Sequence, residues 1–89
     1  MNDISEHDIT AQQRMFDLAM ETYKERDRIR QGLWKKYAPK DQLIQAKIKI
    51  ERCIQDMEVG DGKEVVSEGP DIMNYTAFAM RQVANNEHD

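Results

Sequence analysis

Apolar side chains recur every three or four residues along the first part of the chain, which is the period of an α-helix. Thr10 and Gln13 have the spacing of a capping box, so the helix is predicted to start there. Gly32 is a weak point at which it is expected to bend or break. Pro39 ends it, because the residue before a proline avoids the α region. The predicted long first helix has a face made of Phe16, Met20, Tyr23, Arg30, Leu33, Trp34 and Tyr37.

A second helix is predicted to begin near Pro39 or Asp41. Its apolar stripe is widened by Ile44, Ile48 and Ile54, so the helix is expected to contact neighbours on two sides. This pattern is typical of a central helix, or of a helix that also meets another subunit. The main stripe steps by threes and fours through Leu43, Ala46, Ile50, Cys53 and Met57.

The third helix is predicted to start at Pro70, because proline suits the first helical position. Asp71 then lies in the first turn, where the helix dipole favours acids. The two glycines of 60–62 predict a turn, and the following KEVVSE (63–68) is expected to be extended or a loop. One face of this helix contains Ile72, Tyr75, Thr76, Ala79 and Val83.

These elements predict an all-α fold, a three-helix up-down bundle with a long first helix. We expect a single helical domain at 9–84 between flexible tails at 1–8 and 85–89. A chain of 89 residues buries a small core, so we also expect a homo-oligomer. The longest apolar run is too short for a bilayer, and no membrane partner is expected.

The charge and composition of the chain argue against several classes of function. The net charge of −4 argues against nucleic acid as a partner, because such binding neutralises phosphates. The N-terminal MNDISEHDIT lacks the pattern of a signal peptide, and we expect a cytoplasmic protein. The single cysteine, Cys53, is expected to be a buried small hydrophobe. Because His7 and His88 lie in the polar tails, no thiol–histidine pair and no zinc-type site is indicated.

Acidic residues are the candidates for chemistry, and each has a structural alternative. Asp17, Glu21 and Glu25 share one stripe of the first helix. This stripe fits either Mg²⁺ coordination or an ordinary solvated face. Glu51 lies among basic neighbours, where it forms an i,i+4 ion pair or is a buried acid that needs a partner.

Further candidates lie around the start of the predicted third helix. Glu68 and Asp71 form an E-x-x-D pattern, in which an acid caps the helix or ligates a metal. Asn74 is unfavourable in a helix interior, and beside Tyr75 it predicts a polar contact. A further group of cations and aromatic residues has two alternative roles. The group could hold a phosphate and stack on a base, or it could be a solvated face with aromatic residues in the core. Its members are Trp34, Lys35, Lys36, Tyr37, Lys47, Lys49 and Arg52.

Two segments, AKIKIERCIQDM (46–57) and EGPDIMNYTAFAM (68–80), resemble a phage and bacterial family of nucleotide-modification-associated domains. Helices of that family read K-I-x-R and D-x-x-N-Y. The family is similar in turn to the all-α nucleoside triphosphate pyrophosphatases of the MazG-like and dimeric dUTPase-like types. The positions that match are Lys49, Arg52, Asp71, Asn74 and Tyr75.

The resemblance implies a Mg²⁺-dependent nucleoside triphosphate pyrophosphohydrolase that acts as an oligomer. It assigns metal binding to Glu51, Glu68 and Asp71. It also assigns the nucleotide to four residues, with Lys49 and Arg52 on the phosphates and Asn74 and Tyr75 orienting the substrate.

The chain departs from the pyrophosphatases in one respect, since their E-E-x-x-E motif is absent. Glu51, or Glu21 with Glu25, would have to replace it. The alternative is therefore a non-catalytic, phage-type helical protein that sequesters a nucleotide or inhibits a protein partner. A third hypothesis is a structural dimer without a ligand. The hypotheses differ in whether Glu51 and Asp71 face each other across adjacent helices.

Overall fold

The computed structural model describes residues 5–89, and within that range the chain is helical throughout apart from short connections. Helix α1 spans Glu6–Arg30, α2 spans Pro39–Val59 and α3 spans Lys63–Asn85. A short 3₁₀ segment, Leu33–Lys36, lies between α1 and α2. The predicted all-α class and the three helices are thus confirmed.

Helix α1 begins four residues earlier than the capping box predicts. Ser5 is the N-cap, and its side-chain oxygen accepts a 3.2 Å hydrogen bond from the Asp8 amide. Glu6 and Asp8 occupy the first turn, where acids interact favourably with the helix dipole. The predicted flexible tail at 1–8 therefore includes helical residues, and its first four residues lie outside the described part of the chain.

The predicted weak point at Gly32 is confirmed, because α1 stops there. Gln31 and Gly32 both have left-handed backbones, with φ of 47° and 75°. The Asp27 carboxylate accepts a 2.7 Å hydrogen bond from the Gly32 amide. This reversal turns the chain into the 3₁₀ segment and carries Trp34 into the interior, so the first helix does not continue to Pro39.

Helix α3 begins at Lys63, seven residues before the start predicted at Pro70. Gly62 supplies a left-handed turn at φ 79°, and the Glu64 amide donates to the Asp56 carboxylate at 3.2 Å. The prediction of an extended or loop segment at 63–68 was wrong, and Pro70 lies inside the helix. Packing of this first part of α3 against α2 outweighs the local cost of an internal proline.

The third helix is central, because α3 packs against both α1 and α2 while those two scarcely touch each other. Small side chains at the crossings allow close approach of the helices, and no large side chain is fully buried within the described range. Nor does any helix of residues 5–89 have the length and apolarity to cross a bilayer. The buried apolar residues are Ala19, Trp34, Ala46, Cys53 and Ala79.

Candidate functional site

Asp71 joins all three helices at the centre of the molecule. Its buried carboxylate lies on α3, 3.1 Å from the Arg26 guanidinium of α1 and 3.6 Å from the Lys49 ammonium of α2. Lys49 also contacts Glu68, one turn earlier on α3, at 2.6 Å. Two acids of α3 are therefore neutralised by one cation from each neighbouring helix.

Both partners of the shortest contact have shifted pKa values. The hydrogen bond to Glu68 raises the pKa of Lys49 above its ordinary value, although burial acts in the opposite direction. The same hydrogen bond lowers the pKa of Glu68. Both groups are largely shielded, with side chains 17% and 22% exposed, so this ion pair is screened less than a surface pair.

Glu51 lies on a different side of α2. Two residues along a helix correspond to a rotation of about 200°, so Glu51 points away from the side that Lys49 presents to α3. Its side chain is 63% exposed and lies 4.0 Å from Lys47. Of the two alternatives for Glu51, the i,i+4 ion pair is the one found.

The three predicted metal ligands are consequently not brought together. Glu68 and Asp71 share Lys49, while Glu51 lies at the surface. Across residues 5–89, no group of three or more His, Cys, Asp or Glu side chains is arranged to hold a metal ion. Magnesium binding by these residues stays a prediction with no assembled ligand set to support it.

Aromatic rings form a cluster beside the ionic centre. Trp34 stacks on Phe78 with centroids 4.5 Å apart and planes 11° apart. Tyr23 and Tyr75 meet the same phenylalanine edge-on, at 5.7 and 6.3 Å. Edge-on and stacked aromatic pairs of this kind stabilise a fold by more than the burial of the ring surfaces alone. Through Phe78 the cluster fixes the 3₁₀ segment against α3 and joins Tyr23 of α1 to the same helix.

Two buried glutamines hold the backbone of the 3₁₀ segment. The Gln42 amide of α2 donates to the Trp34 carbonyl at 2.8 Å, and the Gln82 amide of α3 donates to the Tyr37 carbonyl at 2.6 Å. The indole N–H of Trp34 and the side-chain oxygen of Gln82 are themselves buried without a hydrogen-bond partner. Such unpaired polar atoms are uncommon in protein interiors.

The outer side of the aromatic cluster is closed by an ion pair. Arg81 lies 4.7 Å from the Trp34 ring centroid, in cation–π range, and binds Glu87 through two hydrogen bonds of 2.7 and 3.0 Å. Glu87 and then Tyr23 raise the pKa of Arg81, while Arg81 lowers the pKa of Glu87 to about 2. The Asp89 amide also donates to the Lys35 carbonyl. The predicted tail at 85–89 thus makes defined contacts.

A cavity of about 330 Å³ opens where these elements meet. This volume falls within the range typical of small-molecule sites. Helix α1 contributes Arg26 and Arg30 to its wall, and α2 contributes Gln42 and Gln45. The remaining lining residues are Tyr23, Asp27, Leu33, Trp34, Tyr37, Asp41, Asp71, Asn74, Tyr75 and Phe78.

The cavity contains two of the four predicted nucleotide-binding residues. Asn74 and Tyr75 line it, and the Asn74 amide donates to the Ala19 carbonyl at 2.9 Å. This bond is the polar contact that the unfavourable helix position predicts. Lys49 is instead held by Glu68 and Asp71, and Arg52 is exposed on α2.

Other predicted candidates have structural roles. Cys53 is buried, its thiol donates to the Glu64 carbonyl at 3.5 Å, and burial raises its pKa. Asp17, Glu21 and Glu25 are exposed on α1, as a solvated face requires. Lys24 lies beside the last two of these acids.

Arg26, Gln42 and Gln82 were not identified from the sequence. Each occupies a helical position that would equally suit a solvated side chain. For Gln42 the helical spacing could have indicated burial, because Gln42 lies on the same side of α2 as Ala46 and Cys53. Polar residues in the register of the buried stripe are candidates for interior hydrogen bonds.

Comparison with protein-family models, with curated proteins and with solved structures gave no match to this chain. The resemblance to nucleotide-modification-associated domains and to MazG-like pyrophosphatases therefore gains no support from these comparisons. The cavity and the side chains that line it are therefore the features of this chain that bear on its function.

Proposed function

We propose that this protein binds a nucleotide in the cavity between α1, α3 and the 3₁₀ segment, as a non-catalytic helical binding protein. The observation that carries the proposal is the composition of the wall, which places aromatic rings, amide groups and guanidinium groups around one space. A nucleotide has a planar base, a polar sugar and an anionic phosphate, and each of these matches one class of lining group.

The base is proposed to lie against the aromatic wall. Tyr37 is the most accessible ring, with about half of its surface exposed, and Tyr75 lies on the opposite element, α3. Stacking of a base on an aromatic side chain contributes about 1–3 kcal/mol and tolerates different bases. The amides of Gln45 and Asn74 are in reach of the same space and offer hydrogen bonds to base or sugar.

The phosphate is proposed to lie at Arg30. This side chain is exposed at the end of α1 and lines the cavity, whereas Arg26 is already paired with Asp71. Guanidinium groups bind phosphate oxygens through paired hydrogen bonds. Because Asp27 and Asp41 also line the cavity, the wall does not favour a highly charged ligand. A nucleoside monophosphate fits this balance better than a triphosphate.

The contacts of the acids support binding rather than hydrolysis. Glu68 and Asp71 each face a cation within 3.6 Å, and a Mg²⁺ ion would have to displace Lys49 from both. The magnesium-dependent pyrophosphohydrolase implied by the resemblance is therefore tested as a separate arm of the same experiment.

The experiment is a calorimetric titration of the four ribonucleoside monophosphates, and separately of the triphosphates with Mg²⁺, into the wild type. Tyr37→Ala removes a ring while leaving the backbone carbonyl that Gln82 binds. We expect it to weaken monophosphate binding by about tenfold or more, the equivalent of the stacking contribution. Arg30→Gln is expected to weaken phosphate binding by about tenfold.

Arg28→Gln is the matched control, because it removes the same charge from the last turn of α1 at a side chain outside the cavity wall. It is expected to leave the affinity unchanged. Heat only with triphosphate and Mg²⁺, together with release of pyrophosphate, would favour the hydrolase. No heat with any nucleotide would contradict the proposal and leave the protein-partner alternative.

A further inference from the structure

Helix α2 carries a second apolar line that the fold does not use. The buried line that packs on α3 includes Gln42, Ala46 and Cys53. One residue further along runs a parallel line, here called the outer seam, which consists of Leu43, Lys47, Ile50, Ile54 and Met57. Its members are spaced alternately by four and three residues, the spacing of a and d positions in a coiled coil.

The apolar members of the outer seam remain accessible. Leu43, Ile50, Ile54 and Met57 are between 42% and 61% exposed. Single exposed apolar residues are ordinary, but four that follow one line along a helix, interrupted only by Lys47, mark an interaction surface. None of the four lines the cavity, so this surface is separate from the proposed nucleotide site.

The exposed area of the whole chain also exceeds that of a compact monomer. A protein of 10.4 kDa exposes about 5,400 Å² when it folds compactly, whereas this chain exposes 7076 Å². Its radius of gyration is 15.0 Å, compared with about 12 Å for a compact chain of this length. The excess of about 1,700 Å² is more than the roughly 800 Å² per partner that a stable interface covers.

We propose that the outer seam of α2 pairs with the outer seam of a second copy of this chain in an antiparallel, two-fold symmetric dimer. The charges on the seam side of α2 select the orientation. Lys40 and Lys47 lie towards its N-terminal end, and Glu51 and Glu58 lie towards its C-terminal end. The exposed Asp41 and Arg52 lie on the opposite side of the helix from the seam.

Antiparallel pairing brings the basic end of one α2 helix against the acidic end of the other and aligns the two helix dipoles favourably. A parallel pairing would instead place Lys47 against its own copy, which is repulsive. In the proposed register Leu43 of one copy faces Met57 of the other, which places the two-fold axis at Ile50, midway between them in the sequence.

The first test is the molar mass of the intact protein by light scattering during size-exclusion chromatography. The wild type is expected at twice 10.4 kDa, and Ile54→Glu is expected to shift it to the monomer mass. Ile48→Glu is the matched control, because it makes the same substitution on the same helix away from the seam, and it is expected to remain dimeric. Circular dichroism verifies that each variant is helical.

A crosslinking test gives the same answer if Ile54→Glu does not fold. In a Cys53→Ala background, Leu43→Cys and Met57→Cys proteins are mixed under mild oxidation. The antiparallel dimer predicts a disulfide between the two different variants, and Ile50→Cys is predicted to crosslink to itself. A monomeric wild type, a dimer without these crosslinks, or Met57→Cys bonded only to its own copy would overturn the proposal.

Discussion

The ammonium group of Lys49 on α2 donates a 2.6 Å hydrogen bond to the carboxylate of Glu68 on α3. The same ammonium lies 3.6 Å from Asp71, so one cation serves two acids between packed helices. These contacts explain why Lys49 is shielded while its neighbour Lys47 is exposed.

Replacing Lys49 by methionine is expected to destabilise the fold. The substitution leaves the partly buried Glu68 carboxylate without its cation and leaves Asp71 with Arg26 alone, at a cost of about 1–3 kcal/mol. Lys63→Met removes the same charge from an exposed pair with Asp61, away from the outer seam, and is expected to change stability by less than about 1 kcal/mol. Urea unfolding of the two variants measures the difference, and equal midpoints would show that the contact of Lys49 with α3 contributes nothing.

The free energy of unfolding is expected to decrease in acidic solution, where Glu68 is protonated, and in strongly basic solution, where Lys49 loses its proton. The pKa of Glu68 is lowered from its ordinary 4.5, so its contribution is present above that value and is lost as the pH falls through the lowered pKa. The pKa of Lys49 is raised above 10.5, so its contribution is lost only as the pH rises beyond that value. At neutral pH the contributions of both residues to stability are present.

Glu68→Gln is therefore expected to flatten the dependence of the free energy of unfolding on pH below 4.5. Glu21→Gln, at an exposed position on α1, serves as the control and is expected to retain the slope of the wild type. Denaturant titrations at several acidic pH values provide the comparison. A Glu68→Gln variant with the slope of the wild type would refute the assignment.

Gln82→Ala is expected to release the 3₁₀ segment from α3. It leaves the Tyr37 carbonyl, which accepts the 2.6 Å hydrogen bond, without its partner, at a cost of about 1–3 kcal/mol. Because Trp34 is the only tryptophan, its fluorescence is expected to move to longer wavelength as water reaches the ring. Gln55→Ala, an exposed position on α2, should leave both stability and emission unchanged.

The left-handed turn at Gly32 is expected to disfavour any residue other than glycine. Gly32→Ala places a side chain at φ 75°, which is expected to destabilise the fold by about 1–2 kcal/mol. Thermal melts of Gly32→Ala and the wild type measure the difference, and an unchanged or higher melting temperature in the variant would contradict the left-handed backbone at this position.

Some of this organisation could be predicted from the sequence because its causes are local. The break at Gly32 depends on the conformational freedom of one residue, and the contact of Asn74 is indicated by its poor helix propensity. The start of α3 could not be predicted in this way. Pro70 has the local features of a first helical position, but the α2 contacts of Glu64 and Glu68 extend the helix towards its N-terminus.

Which side of a helix faces the neighbouring helices was harder to predict than the presence of the helix. Lys49 and Glu51 are two residues apart on α2, and only the rotation of the packed helix decides which one meets α3. Trp34 is a further example. It lies in the 3₁₀ segment, outside the three long helices, and the reversal at Gly32 brings it to the wall of the cavity. Periodicity along one helix does not contain that information.

If the cavity is the nucleotide site, amide and indole NMR signals of its lining residues respond when a nucleoside monophosphate is added. We expect concentration-dependent shifts at the Trp34 indole N–H, at the Asn74 side-chain amide and at residues around Tyr37, with α2 beyond Gln45 unaffected. Shifts confined to the outer seam, or none at a nucleotide concentration that saturates the calorimetric titration, would contradict it.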